Sequence, residues 1–280
     1  MGFLPHFIEK LRRRPTGAVL PADAAMSASS AALGSVAFSC VVDQDPFLAA
    51  QCFIWLNCLL EIQSTPPANI FIHHTGLGNA DFAAWLASLK VNLVQIKPFD
   101  SRSPHCNKLR QLKTFANSAF DRVVLMDCDT AWIGNAPLPS GAPVMAKVVD
   151  LANPSEPILE AIFRKAGMGE PAWVPVSLPQ GEGLRRTDRN NCNGGLYILA
   201  KSVIPQLDVA WRKWAAWCLK HRDLFGPFAI HVDQVGFALA SRELGLSAQD
   251  FPIEWNYPIH LPAAQLPDVT PQILHFHRQF

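Results

Sequence analysis

The chain has 280 residues, of which 49% are hydrophobic and 17% are charged, so it is long enough to bury one large α/β core. Its formal net charge of +1 gives no support for a nucleic-acid partner, which would need a clustered basic surface. No unbroken apolar run reaches the roughly twenty residues of a membrane-spanning helix. Seven scattered cysteines without a CxxC pair favour reduced thiols in a cytoplasmic protein.

The first 34 residues differ in character from the rest of the chain. Five apolar residues share one helical face and a basic cluster overlaps and follows them: Phe3, Leu4, Phe7, Ile8 and Leu11, then Lys10, Arg12, Arg13 and Arg14. Residues 16–32 are rich in Ala, Ser and Pro and predict a linker. The short apolar face favours a leader that packs on itself; the alternative is a basic helix resting peripherally on the inner face of an anionic membrane. The folded domain is predicted over residues 35–280.

Strand patterns alternate with helical patterns from Ser35 onward. Apolar runs predict strands at 36–42, 69–73, 91–96, 123–126, 143–149, 193–199, 253–258 and 272–277. Helical spacing predicts helices at 46–61, 81–89, 107–119, 158–166, 207–219 and from 231. This alternation predicts a single α/β domain of Rossmann-like type, with a mostly parallel central sheet and helices on both faces.

An acidic motif follows the fourth predicted strand. The apolar run Val123–Met126 leads directly into Asp127, Cys128 and Asp129, and it is too short for a buried helix. A central parallel strand binds ligands beyond its carboxyl end. Residues two apart along a strand point the same way, so the two carboxylates can converge on Mg²⁺ or Mn²⁺ holding a diphosphate. The alternative is that one Asp caps the following turn and the other only ends the strand.

Later segments add further candidates. The long connection over residues 171–191 is rich in Pro, Gly and Arg, which predicts a lid or acceptor loop. Gly194 and Gly195 open a strand, where they either let a ligand approach the backbone or form a bulge. Asp233 lies in the first turn of a helix, and the chain nears its end with His275 and His277.

In this order, these features resemble the GT-A glycosyltransferases, especially the nucleotide-sugar transferases related to family 8, the galactosyltransferase and glycogenin type. The resemblance covers residues 35–277. It rests on NKL at 107–109, VVLMDCD at 123–129, NGGLYIL at 193–199, VDQ at 232–234, and IEWNYP followed by ILHFH.

The resemblance implies a Mn²⁺-dependent (or Mg²⁺-dependent) transferase that moves a sugar from a nucleoside diphosphate sugar, expected to be a UDP-sugar, to a glycan, lipid or protein acceptor. The implied metal ligands are Asp127, Asp129 and His275. His277 is an alternative ligand, because residues two apart in an extended strand project to the same side.

The resemblance also implies residues for the donor. Asp43 lies near the base, Asp233 and Gln234 act at the sugar as catalytic residues, and the remaining implied donor contacts are Asp127, Asn193, Gly194 and Gly195. The family often continues after the histidine with Gly and a Lys-Pro-Trp motif that grips phosphate, whereas this chain continues from His277 with Arg278, Gln279 and Phe280. Lys108 and Arg278 are therefore the candidate phosphate contacts.

Two other functions fit parts of the pattern. DCDT also matches the start of a haloacid-dehalogenase-like phosphatase, in which the first Asp is a nucleophile. That reading lacks an Asp-Asp pair and a GDxxxD motif, and the acidic motif lies in the middle of the chain. A non-catalytic nucleotide-sugar binding protein would keep the same site without turnover.

Overall fold

A computed structural model describes residues 35–178 and 185–277 of the chain. The predicted leader and linker over residues 1–34 and the candidate phosphate contact Arg278 lie outside the described residues. Within the described ranges, no helix combines the length and the apolar character needed to cross a bilayer.

The described elements follow the predicted alternation. The strands are β1 (Val36–Val42), β2 (Ile70–His74), β3 (Asn92–Gln95), β4 (Arg122–Met126), β5 (Thr130–Trp132), β6 (Val144–Val148), β7 (Trp173–Pro175), β8 (Arg186–Asp188), β9 (Cys192–Ala200), β10 (Tyr257–Pro258) and β11 (Ile273–His275). The α-helices are α1 (Pro46–Asn57), α2 (Ala80–Ser88), α3 (Leu112–Phe115), α4 (Glu156–Lys165), α5 (Ile204–Lys220) and α6 (Val232–Glu243). A π-helical turn spans Cys58–Ile62, and 3₁₀ segments span Pro67–Asn69, Pro104–Arg110, Lys201–Val203, Arg222–His231, Ile253–Asn256 and Ala263–Gln265.

The central sheet has six strands in the order β3-β2-β1-β4-β9-β6. The four strands from β3 to β4 are parallel, whereas β9 runs antiparallel to both of its neighbours. Two smaller sheets have the orders β10-β11-β5 and β7-β8. The predicted mixed α/β architecture with a mostly parallel sheet is therefore confirmed.

Strand β4 is covered on both faces, as its apolar run predicts. Val123 and Leu125 are buried in the main core together with residues of α4, α5 and α6. Side chains alternate along the strand, so the neighbouring residues face the other layer. There Trp55 of α1 packs with its indole Nε1 donating to Met126 Sδ at 3.4 Å. Burial on both faces holds the carboxyl end of β4 in a fixed position.

An aromatic cluster joins β9, α5 and α6. The ring centroids of Tyr197, Trp211 and Phe237 lie 4.8–5.2 Å apart. Trp211 Nε1 donates to the Asp233 carbonyl at 2.8 Å, which anchors the first turn of α6. Trp211 and Trp214 are both buried, so the tryptophans on this face of α5 belong to the core.

Several segments differ from their predictions. Residues 253–258, predicted as a strand, form the 3₁₀ segment Ile253–Asn256 followed by the two-residue strand β10. Residues 107–119 do not form one helix: a 3₁₀ segment ends at Arg110 and the short α3 follows. The side chain of Gln111 is turned inward, where it donates to the Lys108 carbonyl and accepts from Ser39, and this favours the tighter turn. Residues 171–191 include the antiparallel pair β7 and β8, and Arg186 of β8 forms an ion pair with Glu156. A lid function for this segment stays a prediction.

Candidate functional site

The acidic motif forms a turn between β4 and β5 and does not continue as a strand. Thr130 Oγ1 closes the turn by donating to the Asp127 carbonyl at 2.7 Å. Strand β11 then pairs antiparallel with β5, which places His275 opposite Thr130, and the Phe276 amide donates to the Asp129 carbonyl at 3.0 Å. The expectation that strand alternation aligns the two carboxylates is wrong, because the turn directs them to different partners.

Asp127 contacts Lys108, which is 7% exposed. The Lys108 ammonium lies 2.8 and 3.0 Å from the two carboxylate oxygens of Asp127, 3.4 Å from Asp233 Oδ2 and 3.2 Å from the Gly194 carbonyl. Burial by itself disfavours the ammonium, but the Asp127 and Asp233 carboxylates outweigh it and raise the pKa of Lys108. Lys108 is therefore a buried cation that holds two predicted site acids together.

Asp129 faces two histidines. Its Oδ1 lies 3.3 Å from His275 Nε2, and its Oδ2 lies 3.7 Å from His277 Nδ1. One donor atom from each of the three residues lies within 4.8 Å of the others. Asp129 Oδ1 and His275 Nε2 are buried and contact each other, and His277 Nε2 is buried without a hydrogen-bond partner among the described residues. Because buried polar atoms are normally satisfied, this donor set fits a divalent cation.

The electrostatics of these groups suit metal ligation. Burial alone would raise the pKa of Asp129, but His275 and His277 beside it lower that pKa below its usual range. Burial, reinforced by His275, lowers the pKa of His277 to about 3. Asp129 is thus ionised and His277 neutral near pH 7, the protonation states that a metal requires of its ligands.

A buried polar network orients the His275 ring. Asn256 Oδ1 accepts from His275 Nδ1 at 2.9 Å, and Asn256 Nδ2 donates to Asn193 Oδ1 at 3.2 Å. Asn193 donates to Asp150 at 2.7 Å, and Lys147 donates to the same carboxylate at 2.5 Å. With the proton of His275 on Nδ1, its Nε2 keeps a free lone pair toward Asp129.

Gly194 and Gly195 are needed because site side chains pack against their backbone. A Cβ at Gly195 would lie 2.6 Å from His275 Cε1, and a Cβ at Gly194 would lie 2.6 Å from Lys108 Nζ. The register of β9 against β6 also shifts between Ala146 and Val148, opposite these glycines. The close approach that the sequence predicts is therefore made by the protein's own side chains.

Two adjoining cavities meet at the acidic turn. The larger, about 590 Å³, is lined by Asp43 and residues of α1. The smaller, about 210 Å³, is lined by Asn193, Gly194, Asp233 and Gln234. Both are lined by Lys108, Asp127, Asp129 and His277, together with His105 and Ile230. The side-chain oxygen of Gln234 is buried in this wall, beside His231.

The structure brings the predicted residues within the described ranges to the lining of these two cavities, except Gly195, which packs against the His275 ring. They are Asp43, Lys108, Asp127, Asp129, Asn193, Gly194, Gly195, Asp233, Gln234 and His275. Sequence reasoning missed the supporting residues Lys147, Asp150 and Asn256. The signal for Lys147 was a charged residue inside an otherwise apolar strand, which demands a buried partner.

The fold is similar to a solved structure, that of mouse xyloside xylosyltransferase 1 in its apo form. The TM-score is 0.55 at 14% sequence identity, and the match covers 87% of this chain and 98% of the mouse chain. No protein-family model and no curated protein sequence matches the chain. The predicted α/β fold is therefore shared with this solved structure, whereas the resemblance to the GT-A glycosyltransferases of family 8 stays a prediction.

Proposed function

We propose that the protein is a metal-dependent glycosyltransferase, which moves a sugar from a nucleoside diphosphate sugar to a glycan, lipid or protein acceptor. The expected donor is a UDP-sugar. The observation that carries the proposal is the convergence of Asp129, His275 and His277 at the junction of two cavities, beyond the carboxyl end of β4. On a GT-A-like fold, this is where a nucleotide and a sugar would meet.

The two cavities suit the two halves of such a donor. The larger falls within the range of about 300–1,000 Å³ that is typical of small-molecule sites, and it suits the nucleoside near Asp43. The smaller suits the sugar, which leaves the diphosphate at the shared wall. When bound there by Asp129 and His275, with Asp127 as a further candidate ligand, Mn²⁺ or Mg²⁺ would neutralise the charge that develops on the departing diphosphate.

Asp233 and Gln234 line the smaller cavity, which we assign to the donor sugar. Asp233 is held by Lys108 through its carboxylate and by Trp211 through its carbonyl, so its position is fixed before a ligand binds. Gln234 places its side-chain amide in the wall of the smaller cavity, beside His231. We assign both residues to the donor sugar, where a fixed acceptor group can orient a hydroxyl.

The test is calorimetric titration of UDP, GDP, their sugars and a phosphomonoester, with and without Mn²⁺, followed by detection of released sugar. The proposal predicts metal-dependent binding of a nucleoside diphosphate and slow hydrolysis of its sugar. Asp129→Asn should abolish the metal dependence, whereas the control Asp268→Asn changes an exposed carboxylate outside both cavities and should behave as wild type.

Each other outcome selects a different function. Binding without any turnover, in the presence of candidate acceptors, would support a non-catalytic binding protein. Binding of the phosphomonoester alone would contradict the transferase and favour a phosphatase. The cytoplasmic location and the peripheral membrane contact of the leader stay predictions, which fractionation of the full chain and of a variant lacking residues 1–34 would check.

A further inference from the structure

His231 lies directly before helix α6, at a position where another residue type is expected. Ser, Thr, Asp and Asn are favoured there, because their side chains accept hydrogen bonds from the first amides of the helix. The side chain of His231 makes no such bond to the described helix. It lies instead in the wall of the smaller cavity, beside the side chain of Gln234 in the first turn of α6. His231 therefore contacts a candidate site residue and does not cap the helix.

The side-chain amide of Gln234 has a definite orientation. Its oxygen is buried on the side of His231. Its nitrogen faces the backbone of Gly194, because a Cβ at Gly194 would lie 3.5 Å from Gln234 Nε2. The same point lies 3.5 Å from Asp127 Oδ2 and 2.6 Å from Lys108 Nζ. The amide thus directs its N–H donors toward the shared wall of the two cavities, which Lys108 and Asp127 line.

The imidazole of His231 carries the proton that its contact with Gln234 requires. Burial, the largest influence, lowers the pKa of His231, and His105 lowers it further, whereas Asp233 and the hydrogen bond with Gln234 raise it. The net effect is a lowered pKa, so the ring is neutral at pH 7 and has one N–H donor. Since an amide oxygen can only accept, this N–H is the group that bonds to it.

We infer that His231 is a positioning residue of the donor site, whose imidazole N–H donates to Gln234 Oε1 and so fixes the Gln234 amide with its nitrogen toward the shared wall. There the amide donates to an oxygen of the bound donor. The inference deepens the sugar side of the proposed function and rests on it. Without the N–H of His231, the amide can turn over and place its oxygen beside the Asp127 carboxylate, where both groups would repel a ligand oxygen.

The first experiment measures the mobility of the Gln234 amide by NMR, without metal or nucleotide. In ¹⁵N-labelled full-length protein, the side-chain signals of Gln234 are those that disappear in Gln234→Leu. Their order parameter should be about 0.8 in the wild type, as in rigid groups. It should fall below about 0.6 in His231→Phe, which keeps an aromatic ring but removes the donor.

His221→Phe is the matched control. His221 is also a half-buried histidine at a helix end, where it stacks on Trp217, and it lies outside both cavities. Its substitution should leave the Gln234 order parameter unchanged. Equal order parameters in the wild type and His231→Phe would overturn the inference. A wild-type value below about 0.6 would overturn it without any variant of His231, so the test stands even if His231→Phe does not fold.

The second experiment separates positioning from packing by a double-mutant cycle. With Mn²⁺ and the UDP-sugar that the wild type hydrolyses fastest, His231→Phe should lower kcat about ten- to a hundredfold, with a smaller change in KM. Because His231 acts through Gln234, the double variant His231→Phe/Gln234→Leu should be no slower than Gln234→Leu alone. Additive losses would overturn the positioning role. A wild type with an ordered Gln234 amide that hydrolyses no UDP-sugar would contradict the proposed function and leave the contact with His231 intact.

Discussion

Lys108→Met should destabilise the protein strongly, because it removes the cation between two buried acids. Breaking a buried ion pair by removing one partner typically costs about 3–5 kcal/mol. Asp233 is 3% exposed and would lose this cation outright, whereas the side chain of Asp127 is 34% exposed and can be partly solvated. We therefore expect the low end of the range, about 3 kcal/mol at pH 8, which corresponds to roughly 6–12 °C in Tm for a domain of this size.

The assay is chemical and thermal unfolding of Lys108→Met and of the control Lys113→Met at pH 8 and pH 5. Lys113 is exposed on α3 nearby, so its substitution should cost little. An unpaired buried carboxylate takes up a proton more readily, so the deficit of Lys108→Met should shrink as the pH falls toward 5. A loss below about 1 kcal/mol at pH 8, in the range of a surface pair, would refute this reasoning.

Two further predictions concern pH and packing. Burial, with a smaller effect of His74, lowers the pKa of His73 from 6.5 to about 4. Because the unfolded chain then binds the proton more readily, His73 should contribute stability above pH 6.5 that is lost as the pH falls to 4, by up to about 3 kcal/mol. In urea unfolding, His73→Gln should reduce the dependence of the unfolding free energy on pH between 6.5 and 4. An unchanged pH dependence would show that His73 does not cause it. Gly195→Ala should displace the His275 ring and so weaken Mn²⁺ binding, measured by calorimetry, at least about tenfold. The added methyl group of Gly194→Ala meets only the flexible end of Lys108, so this variant should lose less Mn²⁺ affinity. Equal Mn²⁺ affinities in the two variants would contradict this prediction.

Much of the fold follows from local sequence pattern. β1 is predicted at its observed bounds, and β4 is recognisable because four consecutive apolar residues can only be a short strand covered on both faces. The 107–119 segment fails for a physical reason, since helical spacing does not reveal that Gln111 and Lys108 turn inward to bury polar contacts.

The candidate site is predictable in its residues but less in its geometry. Asp127 and Asp129 stand out because carboxylates end an apolar strand, yet the turn that separates them depends on the pairing of β5 with β11. That pairing joins residues more than 140 positions apart, and so does the contact of Gln51 with His277. Local periodicity carries no information on such contacts.

The polar residues that support the His275 ring were not predicted from the sequence. Lys147 and Asp150 are only three residues apart, whereas Asn256 lies on a distant segment and meets Lys147 only in the folded protein. The residues around them in the sequence are not spaced like the ligands of a metal site. The one signal is the charge of Lys147 inside an apolar strand, because a buried charge requires a partner.

The most direct test of the proposed function is the metal-stimulated turnover of a UDP-sugar by Asp129→Ala, compared with the wild type and with the exposed control Asp268→Ala. A metal that stabilises the leaving diphosphate supplies several kcal/mol, so its loss should slow turnover on the order of a thousandfold. The account predicts this loss for Asp129→Ala alone, with a Tm close to that of the wild type. Near-normal, metal-stimulated transfer by Asp129→Ala would contradict it and leave the acidic turn with only a structural role.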